Sequence, residues 1–263
     1  MKTAVITSKK DLAGIKIKEC LAELPLDGFD VYTIEEDTIF SNDLDKKIEA
    51  DLFIFATRHQ SREKIPSLSC HVPGNWNKAE FGGTNMRLCI APALFLKNIF
   101  LNLNKFGEKL GIEITLECTH HGPLINKPAV FIEIGSGEEQ WKNKEYGEVI
   151  AKTIIESIKS INNDKNNSKV AFGIGGPHYC SNFNKILLRT DIAVGHICPK
   201  YQLENLDKEM ILQAIDKTKE KSDFVLLDWK GLGKDKQRIV NLLEELKLEY
   251  KRIDQLLSKT EIF

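Results

Sequence analysis

The sequence predicts an α/β protein of three layers, α/β/α, in which helices cover both faces of a mainly parallel, mixed β-sheet. Three observations predict this class. Short apolar runs typical of buried strands alternate with amphipathic, helix-like stretches from one end of the chain to the other. The 263 residues suffice for one large domain or two modest ones, and a chain of that length buries most of its apolar surface. The hydrophobic share of 42% and the charged share of 29% are ordinary for a globular protein.

Each predicted element follows from its own pattern. A continuous apolar run such as residues 52–57 is typical of a strand that is buried on both faces of a sheet. Apolar runs predict strands at residues 3–7, 29–34, 52–57, 112–118, 129–134, 169–174, 191–196 and 224–228. Amphipathic stretches predict helices at residues 11–24, 42–50, 91–110, 146–161, 181–189, 207–219 and 234–246. The stretch 58–84 shows neither pattern, and a loop of that length in a compact domain is usually functional.

We expect one catalytic α/β domain over residues 1–263. The polar segment 162–168, Asn-Asn-Asp-Lys-Asn-Asn-Ser, is the candidate for a subdomain boundary. A surface loop is the favoured interpretation of this segment, and a true domain break is the alternative.

Charge and composition exclude several classes of protein. The formal net charge of −1 argues against a generally basic coat, so any nucleic-acid partner must be held by a local basic patch. Polar residues and a proline interrupt the apolar stretch 90–103, which therefore does not predict a membrane span. The N-terminus lacks a signal peptide's long apolar stretch, and the six cysteines are interpreted as thiols in a reducing compartment. These features predict a soluble cytoplasmic protein, and no feature indicates an obligate protein partner, so we expect a monomer.

The histidines all lie in or beside connections that follow predicted strands. They are His59, His71, His120, His121, His178 and His196. In open α/β sheets, ligands bind outside the carboxyl ends of the strands, so one parallel sheet would bring these residues to one rim. For any single histidine, a hydrogen bond to a turn backbone is the alternative interpretation. The set as a whole predicts a shared polar site.

The residue types at this rim suit metal binding and acid–base chemistry. Neutral imidazole binds zinc and acts as a general base near pH 7. The predicted metal ligands are His71, His120, His121, His178 and His196. The predicted catalytic residues are His120, His178, His196 and Glu138.

Carboxylates and thiols also lie near the histidines. Glu133 falls within a predicted strand and is a candidate buried partner, whereas Glu138 follows that strand and is better placed as a ligand or base. A carboxylate at a helix N-terminus is the alternative for Glu138. Glu117 is a further nearby carboxylate. Four cysteines lie within two residues of a histidine, and we interpret them as small core residues, with metal ligation as the alternative: Cys70, Cys118, Cys180 and Cys198.

Substrate contacts are predicted at two Gly-Pro pairs and three basic residues. Glycine lets the backbone approach a substrate and proline stiffens the turn, although ordinary turn formation explains the same pairs. The predicted substrate-binding residues are Gly122, Pro123, Gly176, Pro177, Arg58, Lys200 and Lys230. No Gly-x-Gly pattern completes a dinucleotide or P-loop fingerprint, which argues against a nucleotide cofactor.

Several motifs occur in a fixed order along the chain. They are Glu-Cys-Thr-His-His-Gly-Pro at 117–123, Phe-Ile-Glu-Ile-Gly-Ser at 131–136, Gly-Gly-Pro-His-Tyr at 175–179 and Gly-His-Ile-Cys-Pro-Lys-Tyr at 195–201. Thr-Arg-His-Gln-Ser at 57–61, His-Val-Pro-Gly-Asn at 71–75 and Asp-Trp-Lys-Gly at 228–231 accompany them. Together they resemble the zinc-dependent D-aminoacyl-tRNA deacylases of the archaeal and plant type.

The resemblance implies a phosphorylase/hydrolase-like α/β fold and a zinc requirement. It also implies hydrolysis of the ester that joins a D-amino acid to the terminal adenosine of tRNA, by a zinc-activated water. The partner would be D-aminoacyl-tRNA, held by local basic residues. Three alternatives stay open: a zinc-dependent exopeptidase or amidase, a peptidyl-tRNA hydrolase-like esterase, and a non-catalytic tRNA- or metal-binding protein.

Overall fold

The described strands form two sheets, not the single sheet that strand–helix alternation suggests. The computed structural model describes residues 1–25, 27–161 and 168–260, so the suggested boundary segment 162–168 lies outside the described residues except for Ser168. The first sheet has the order β2-β1-β3-β6-β4-β5 and the second has the order β10-β9-β7-β8. The α/β class is confirmed, with mainly parallel, mixed sheets and flanking helices.

Most strands agree closely with the predicted ranges. The first sheet contains β1 (Thr3–Ser8), β2 (Phe29–Ile34), β3 (Leu52–Gln60), β4 (Ser67–His71), β5 (Glu113–Leu116) and β6 (Ala129–Ser136). The second contains β7 (Val170–Ile174), β8 (Ala193–Cys198), β9 (Phe224–Leu227) and β10 (Tyr250–Arg252). Neighbouring strands are parallel except for β4 and β6, which pair in antiparallel fashion.

The helices cover the sheets unevenly. They are α1 (Leu12–Ala22), α2 (Ala93–Gly107), α3 (Glu138–Trp141), α4 (Lys144–Ser160), α5 (Ser181–Arg189), α6 (Lys208–Asp216), α7 (Lys236–Glu245) and α8 (Ile253–Thr260). Helix α2 contacts β4, β5 and β8, and so lies between the two sheets. Among the described residues, no helix is long and apolar enough to cross a membrane.

The two faces of the first sheet differ. Ile54 and Ile132 lie in a core with residues of α1, α2 and α4. On the other face, Phe55 and Phe131 pack with loop residues such as Ile125. Side chains alternate between the two faces of a strand, so the polar residues of β3, β4 and β6 that share the second face lie beside Phe55 and Phe131. This second face carries the site described below.

The structure differs from the predicted elements in two stretches where the sequence pattern is short. The stretch predicted as irregular contains the end of β3 and all of β4, in which Leu68 and Cys70 join the core while His71 points to the opposite face. Residues 42–50 do not form the predicted helix. Instead, Asp43 adopts a left-handed conformation with φ of 57°, which does not belong to an α-helix, and a 3-10 turn follows it at Leu44–Lys46. Another 3-10 turn lies before this range, at Thr38–Phe40.

Hydrogen bonds join the end of the first sheet to the second. The backbone N–H of Cys118 donates to the carbonyl of His178 at 2.9 Å, and that of Thr119 donates to Ile197 at 3.0 Å. The segment after β5 therefore runs beside the turn after β7. This contact brings histidines from two sheets together.

Candidate active site

Five of the six histidines lie in one group, which we call the histidine group: His59, His71, His120, His121 and His178. The ring centroids of His71 and His120 are 4.3 Å apart, as are those of His120 and His121. His178 lies 4.6 Å from His120 and 6.0 Å from His59. The predicted shared polar site thus exists as a geometric cluster, although two sheets and not one rim assemble it.

Each histidine reaches the group from a different part of the fold. His59 lies near the end of β3, and His71 is the last residue of β4. His120 and His121 lie in the segment after β5, and His178 lies in the turn after β7. His121 has a φ of 47°, so the backbone turns sharply here and both neighbouring rings pack against His71.

Backbone carbonyls fix the tautomers of three rings. Nδ1 of His71 donates to Val72 at 3.2 Å, and Nδ1 of His120 donates to Cys118 at 2.8 Å. Nδ1 of His121 donates to Gly122 at 2.6 Å. Because a carbonyl can only accept, each Nδ1 carries the proton and each Nε2 keeps its lone pair. Three lone pairs are therefore available at one point.

Two buried carboxylates lie among the rings. Oε2 of Glu117 accepts a hydrogen bond from Nε2 of His178 at 2.8 Å, and its Oε1 lies 3.1 Å from Nδ1 of His59. Oε1 of Glu133 accepts from the Thr57 hydroxyl at 2.8 Å. Oε2 of Glu133 lies 3.6 Å from Nε2 of His71, and within the described residues neither of these two atoms has a hydrogen-bond partner. Buried polar atoms without partners are costly, so this pair marks a place built for a further group.

The environment separates the protonation states of the histidines. Burial alone would lower the pKa of His178, but hydrogen bonding to Cys118 and Glu117 outweighs it and raises this pKa to about 10. Burial and the neighbouring imidazoles hold the pKa of His120 well below its usual range, and burial lowers that of His121 to about 4. Burial would raise the pKa of Glu117, yet the His178 and His59 imidazoles keep it well below its ordinary value. The cluster therefore combines the imidazolium–carboxylate pair of His178 and Glu117 with the neutral rings of His120 and His121.

The donor atoms of the cluster could hold a metal ion. Four overlapping sets each bring their ligand atoms within 4.8 Å of one another: His71, His120 and His121; Cys118, His120 and His178; His59, Glu117 and His178; and His71, Glu117 and Glu133. Sγ of Cys118 is buried, 3.5 Å from Nδ1 of His178 and 3.2 Å from the Tyr201 hydroxyl. Imidazole, thiolate and carboxylate together are the ligands of zinc-like ions, whereas calcium and magnesium prefer oxygen alone.

The cluster forms part of the wall of an open pocket of about 710 Å³. His59, His120, His121 and His178 line it together with Glu133. The remaining lining residues are Asp11, Asp37, Thr38, Ile39, Phe40, Thr57, Arg58, Gln60, Ser61, Arg62, Lys64 and Phe81. A substrate bound in this pocket would face the imidazole rings of these histidines, and protein encloses the opposite side of the rings.

The structure does not bring His196 to the histidine group. Its Nε2 lies 3.0 Å from the carbonyl of Cys89 and its Nδ1 lies 3.2 Å from the Thr119 hydroxyl. The side chain is fully buried and packs edge-on against Trp76. Burial lowers the pKa of His196 to about 4, so the ring is neutral and joins the segment after β5 to the core.

Glu138 also lies away from the cluster. It begins the short helix α3, its side chain is exposed, and it forms an ion pair with Lys142. That contact lowers the pKa of Glu138 below its ordinary value. This placement agrees with the alternative of a carboxylate at a helix N-terminus.

The two Gly-Pro turns are packed into the fold, and neither belongs to the described pocket wall. A Cβ at Gly122 would lie 2.1 Å from the backbone nitrogen of Gly83, so this glycine permits close contact between two loops. Gly176 adopts a φ of +84°, which favours glycine. Pro123 is buried, and Pro177 is exposed.

The predicted basic contacts are dispersed. Arg58 lines the pocket, but its guanidinium donates to Asp37 at 3.2 Å and to the Lys10 carbonyl at 2.8 Å. Lys200 and Lys230 are exposed on the turns after β8 and β9, outside the described pocket wall. Of these three basic residues, only Arg58 lines the pocket beside the histidine group.

Several residues of the cluster were not among the predicted site residues. The predicted catalytic and metal-binding sets omit His59, Glu117 is only a nearby carboxylate in the sequence, and metal ligation by Cys118 is the alternative to a core role. Glu133 carried the clearest signal, because a charged residue inside the apolar strand β6 is tolerated in a core only with polar partners. Tyr201, whose hydroxyl contacts Cys118, gave no separate signal in the sequence.

Comparisons with known proteins identify the family of this chain. A family model described as D-aminoacyl-tRNA deacylase matches residues 46–251. Proteins named D-aminoacyl-tRNA deacylase from Thermococcus kodakarensis and Pyrococcus furiosus are 41% and 38% identical to this chain, and each alignment covers 94% of the chain and 98% of the relative. The crystal structure of a conserved protein of unknown function superimposes with a TM-score of 0.88 at 31% identity, over 97% of this chain and 96% of that one. The chain therefore belongs to the D-aminoacyl-tRNA deacylase family.

Proposed function

We propose that this chain hydrolyses the ester between a D-amino acid and the 3′-terminal adenosine of tRNA, releasing the free D-amino acid and tRNA. The observation that carries the proposal is the histidine group with its two buried carboxylates, open to a pocket on one side. Membership of the deacylase family supplies the substrate class. Ester hydrolysis needs an activated water and a stabilised tetrahedral oxyanion, and the cluster offers groups for both tasks.

We further infer that the cluster holds zinc. In their neutral forms, His71, His120 and His121 each keep a lone pair on Nε2 because a backbone carbonyl engages Nδ1, and Oε2 of Glu133 faces His71 without a hydrogen-bond partner among the described residues. These are the residues that would bind the ion, because zinc requires neutral imidazole and ionised carboxylate. When bound, zinc lowers the pKa of a coordinated water to about 7 and polarises the ester carbonyl.

We assign His178 and Glu117 an electrostatic role in the hydrolysis. Glu117 keeps His178 protonated, and His178 lines the pocket with about a third of its side chain exposed. Its positive charge is therefore available to the oxyanion that forms when water attacks the ester carbonyl. Glu117 engages its Nε2, and Cys118 and Tyr201 lie beside its Nδ1. His178 therefore acts on the oxyanion through its charge and not as a free hydrogen-bond donor. Removal of preorganised electrostatic stabilisation typically reduces kcat by about 10²–10³.

His59 supports the same carboxylate from the other side. Its Nδ1 lies 3.1 Å from Glu117, while its Nε2 lies 2.9 Å from the Tyr179 hydroxyl. The ring is thus held at Nε2 by Tyr179, and its Nδ1 faces Glu117 on the side away from His178. We assign His59 a positioning role.

The test is release of the amino acid from both enantiomers of one substrate. Purified protein, with zinc supplied, is expected to hydrolyse D-tyrosyl-tRNA and to leave L-tyrosyl-tRNA largely intact. Other D-aminoacyl-tRNAs are expected to react as well, because the pocket is wide and open. Equal rates on the two enantiomers, or no release from either, would contradict the proposed function.

A further inference from the structure

Two large aromatic side chains are exposed at the pocket. Phe40 and Phe81 both line it and are 55% and 64% exposed. Exposed apolar area of this size beside a functional pocket marks a surface for binding. The mechanism described above uses neither ring.

The backbone holds the two phenylalanines in fixed positions. Gly82 follows Phe81 with a φ of +74°, and a Cβ there would lie 1.8 Å from the carbonyl oxygen of Ile39 and 3.3 Å from the Phe40 ring. The loops that carry the two rings are therefore in direct backbone contact. The N–H of Gly122 also donates to the Phe81 carbonyl at 2.9 Å, which ties this loop to the residue after His121.

Two cations that have no partner among the described residues line the same pocket. Arg62 and Lys64 are exposed, and no ion pair or hydrogen bond engages either side-chain charge within the ranges that the structure describes. Arg58 differs, because Asp37 and a backbone carbonyl already hold its guanidinium. Glu63, which is also exposed, lies between Arg62 and Lys64 in sequence. The net positive charge of this segment is therefore small and confined to this part of the pocket.

We propose that Phe40 and Phe81 form a stacking platform for the terminal nucleobases of the tRNA acceptor strand, with Arg62 and Lys64 contacting the adjoining phosphates. Aromatic faces beside unpaired cations are the combination that binds single-stranded nucleic acid. The platform places the 3′ end beside the histidine group, since Phe81 is joined through Gly122 to the histidine turn. This inference rests on the proposed function, because it assigns the nucleic-acid part of that substrate.

The competing occupant of the two rings is the side chain of the D-amino acid. A nucleobase platform predicts the same loss of affinity for every aminoacyl group, since all tRNAs share the terminal adenosine. A side-chain pocket predicts a loss for D-tyrosyl-tRNA and none for D-alanyl-tRNA. The two explanations are therefore separable by the amino acid alone.

The first experiment measures kcat and KM for D-tyrosyl-tRNA and D-alanyl-tRNA with F40A, F81A, F81L and the control L212A. Leu212 is an exposed apolar residue outside this pocket. Stacking on each ring predicts a rise in KM of about tenfold for F81A and F40A with both substrates, and an intermediate rise for F81L. Loss confined to D-tyrosyl-tRNA, or KM values equal to those of L212A, would overturn the platform.

The second experiment reads stacking directly. An RNA oligonucleotide that ends in CCA, with 2-aminopurine at its 3′ position, is titrated with the full-length protein. The fluorescence is expected to be quenched by the parent and by L212A, and to be restored by F40A combined with F81A. Equal quenching by the double variant would contradict the inference. Quenching by a parent protein that hydrolyses neither D-aminoacyl-tRNA would refute the proposed function and leave the platform standing.

Discussion

Nε2 of His178 lies 2.8 Å from Oε2 of Glu117, and this contact joins the turn after β7 in one sheet to the segment after β5 in the other. The same carboxylate reaches His59 on β3 and His120, whose Nε2 lies 3.4 Å from it. Glu117 is fully buried, so its negative charge interacts with these rings with little screening by solvent. Glu117 is therefore the centre of the electrostatic interactions in the site.

The variant E117Q tests that position. Glutamine keeps the shape of the side chain but cannot keep His178 charged, so turnover of D-tyrosyl-tRNA is expected to fall at least about a hundredfold. Single-turnover deacylation measures the effect, with circular dichroism as a check of folding. E113Q is the matched control, because Glu113 begins β5, the strand that Glu117 directly follows, and is exposed. An E117Q enzyme as fast as E113Q would remove Glu117 from the mechanism.

Removal of metal is expected to abolish turnover and leave the fold intact. The large apolar cores stabilise the chain, and the groups that could hold an ion lie outside these cores apart from Cys118. After treatment with a chelator, added zinc is expected to restore activity, and elemental analysis of H71A should show reduced zinc content while E138Q keeps that of the parent. Full activity in protein shown to be free of metal would rule out this part of the account.

The buried His196 is expected to make folding pH-dependent. Its pKa is about 4 in the folded protein against 6.5 ordinarily, so the unfolded state binds a proton that the folded state excludes. Stability from this group is complete above pH 6.5 and is lost as the pH falls towards 4. Between pH 7 and about pH 5 the free energy of unfolding should drop by roughly 2 kcal/mol more in the parent than in H196N. The check is urea unfolding of both proteins at the two pH values, and identical drops would show that His196 does not titrate in this way.

Salt dependence separates binding cations from structural ones. Arg238 lies in the basic stretch 230–238, but its guanidinium donates to the carbonyl of Leu206 at 3.0 Å and pairs with Asp235. R238A is therefore expected to lower stability by about 1 kcal/mol and to leave the salt slope of tRNA binding unchanged. R62A is expected to reduce that slope by about one. Fluorescence anisotropy over a range of salt concentrations gives both slopes, and the opposite ranking would place the contact surface at Arg238.

Much of the fold could be predicted from the sequence because long, regular patterns report burial. Strand β2 and helix α5 coincide with the predicted ranges, and the buried residues of α5, Phe183, Ile186 and Leu187, recur at helical spacing. Strand β4 could not be predicted in this way. Its Ser-Leu-Ser-Cys-His pattern is short and half polar, since Ser67, Ser69 and His71 face the site and not the core.

The candidate site was predictable as a set of histidines but not in its partners. Position after a strand could not distinguish His178, which contacts Glu117, from His196, which is held by Cys89 and Thr119. The choice between carboxylates failed for a similar reason. Glu138 follows its strand and Glu133 lies within it, yet only the pairing of β6 with β3 and β4 shows that Glu133 faces the histidines.

The central claim is that the histidine group carries out the hydrolysis, and a comparison of H120A with E138Q tests it most directly. Both residues were candidates on sequence grounds, but His120 lines the pocket with three other histidines, whereas Glu138 is exposed and paired with Lys142. The measurement is the single-turnover rate of deacylation of D-tyrosyl-tRNA by each folded, zinc-supplied variant. The account predicts a loss of at least about a hundredfold for H120A and a rate close to the parent's for E138Q. A rate for H120A that matches the parent's, or a large loss confined to E138Q, would contradict it.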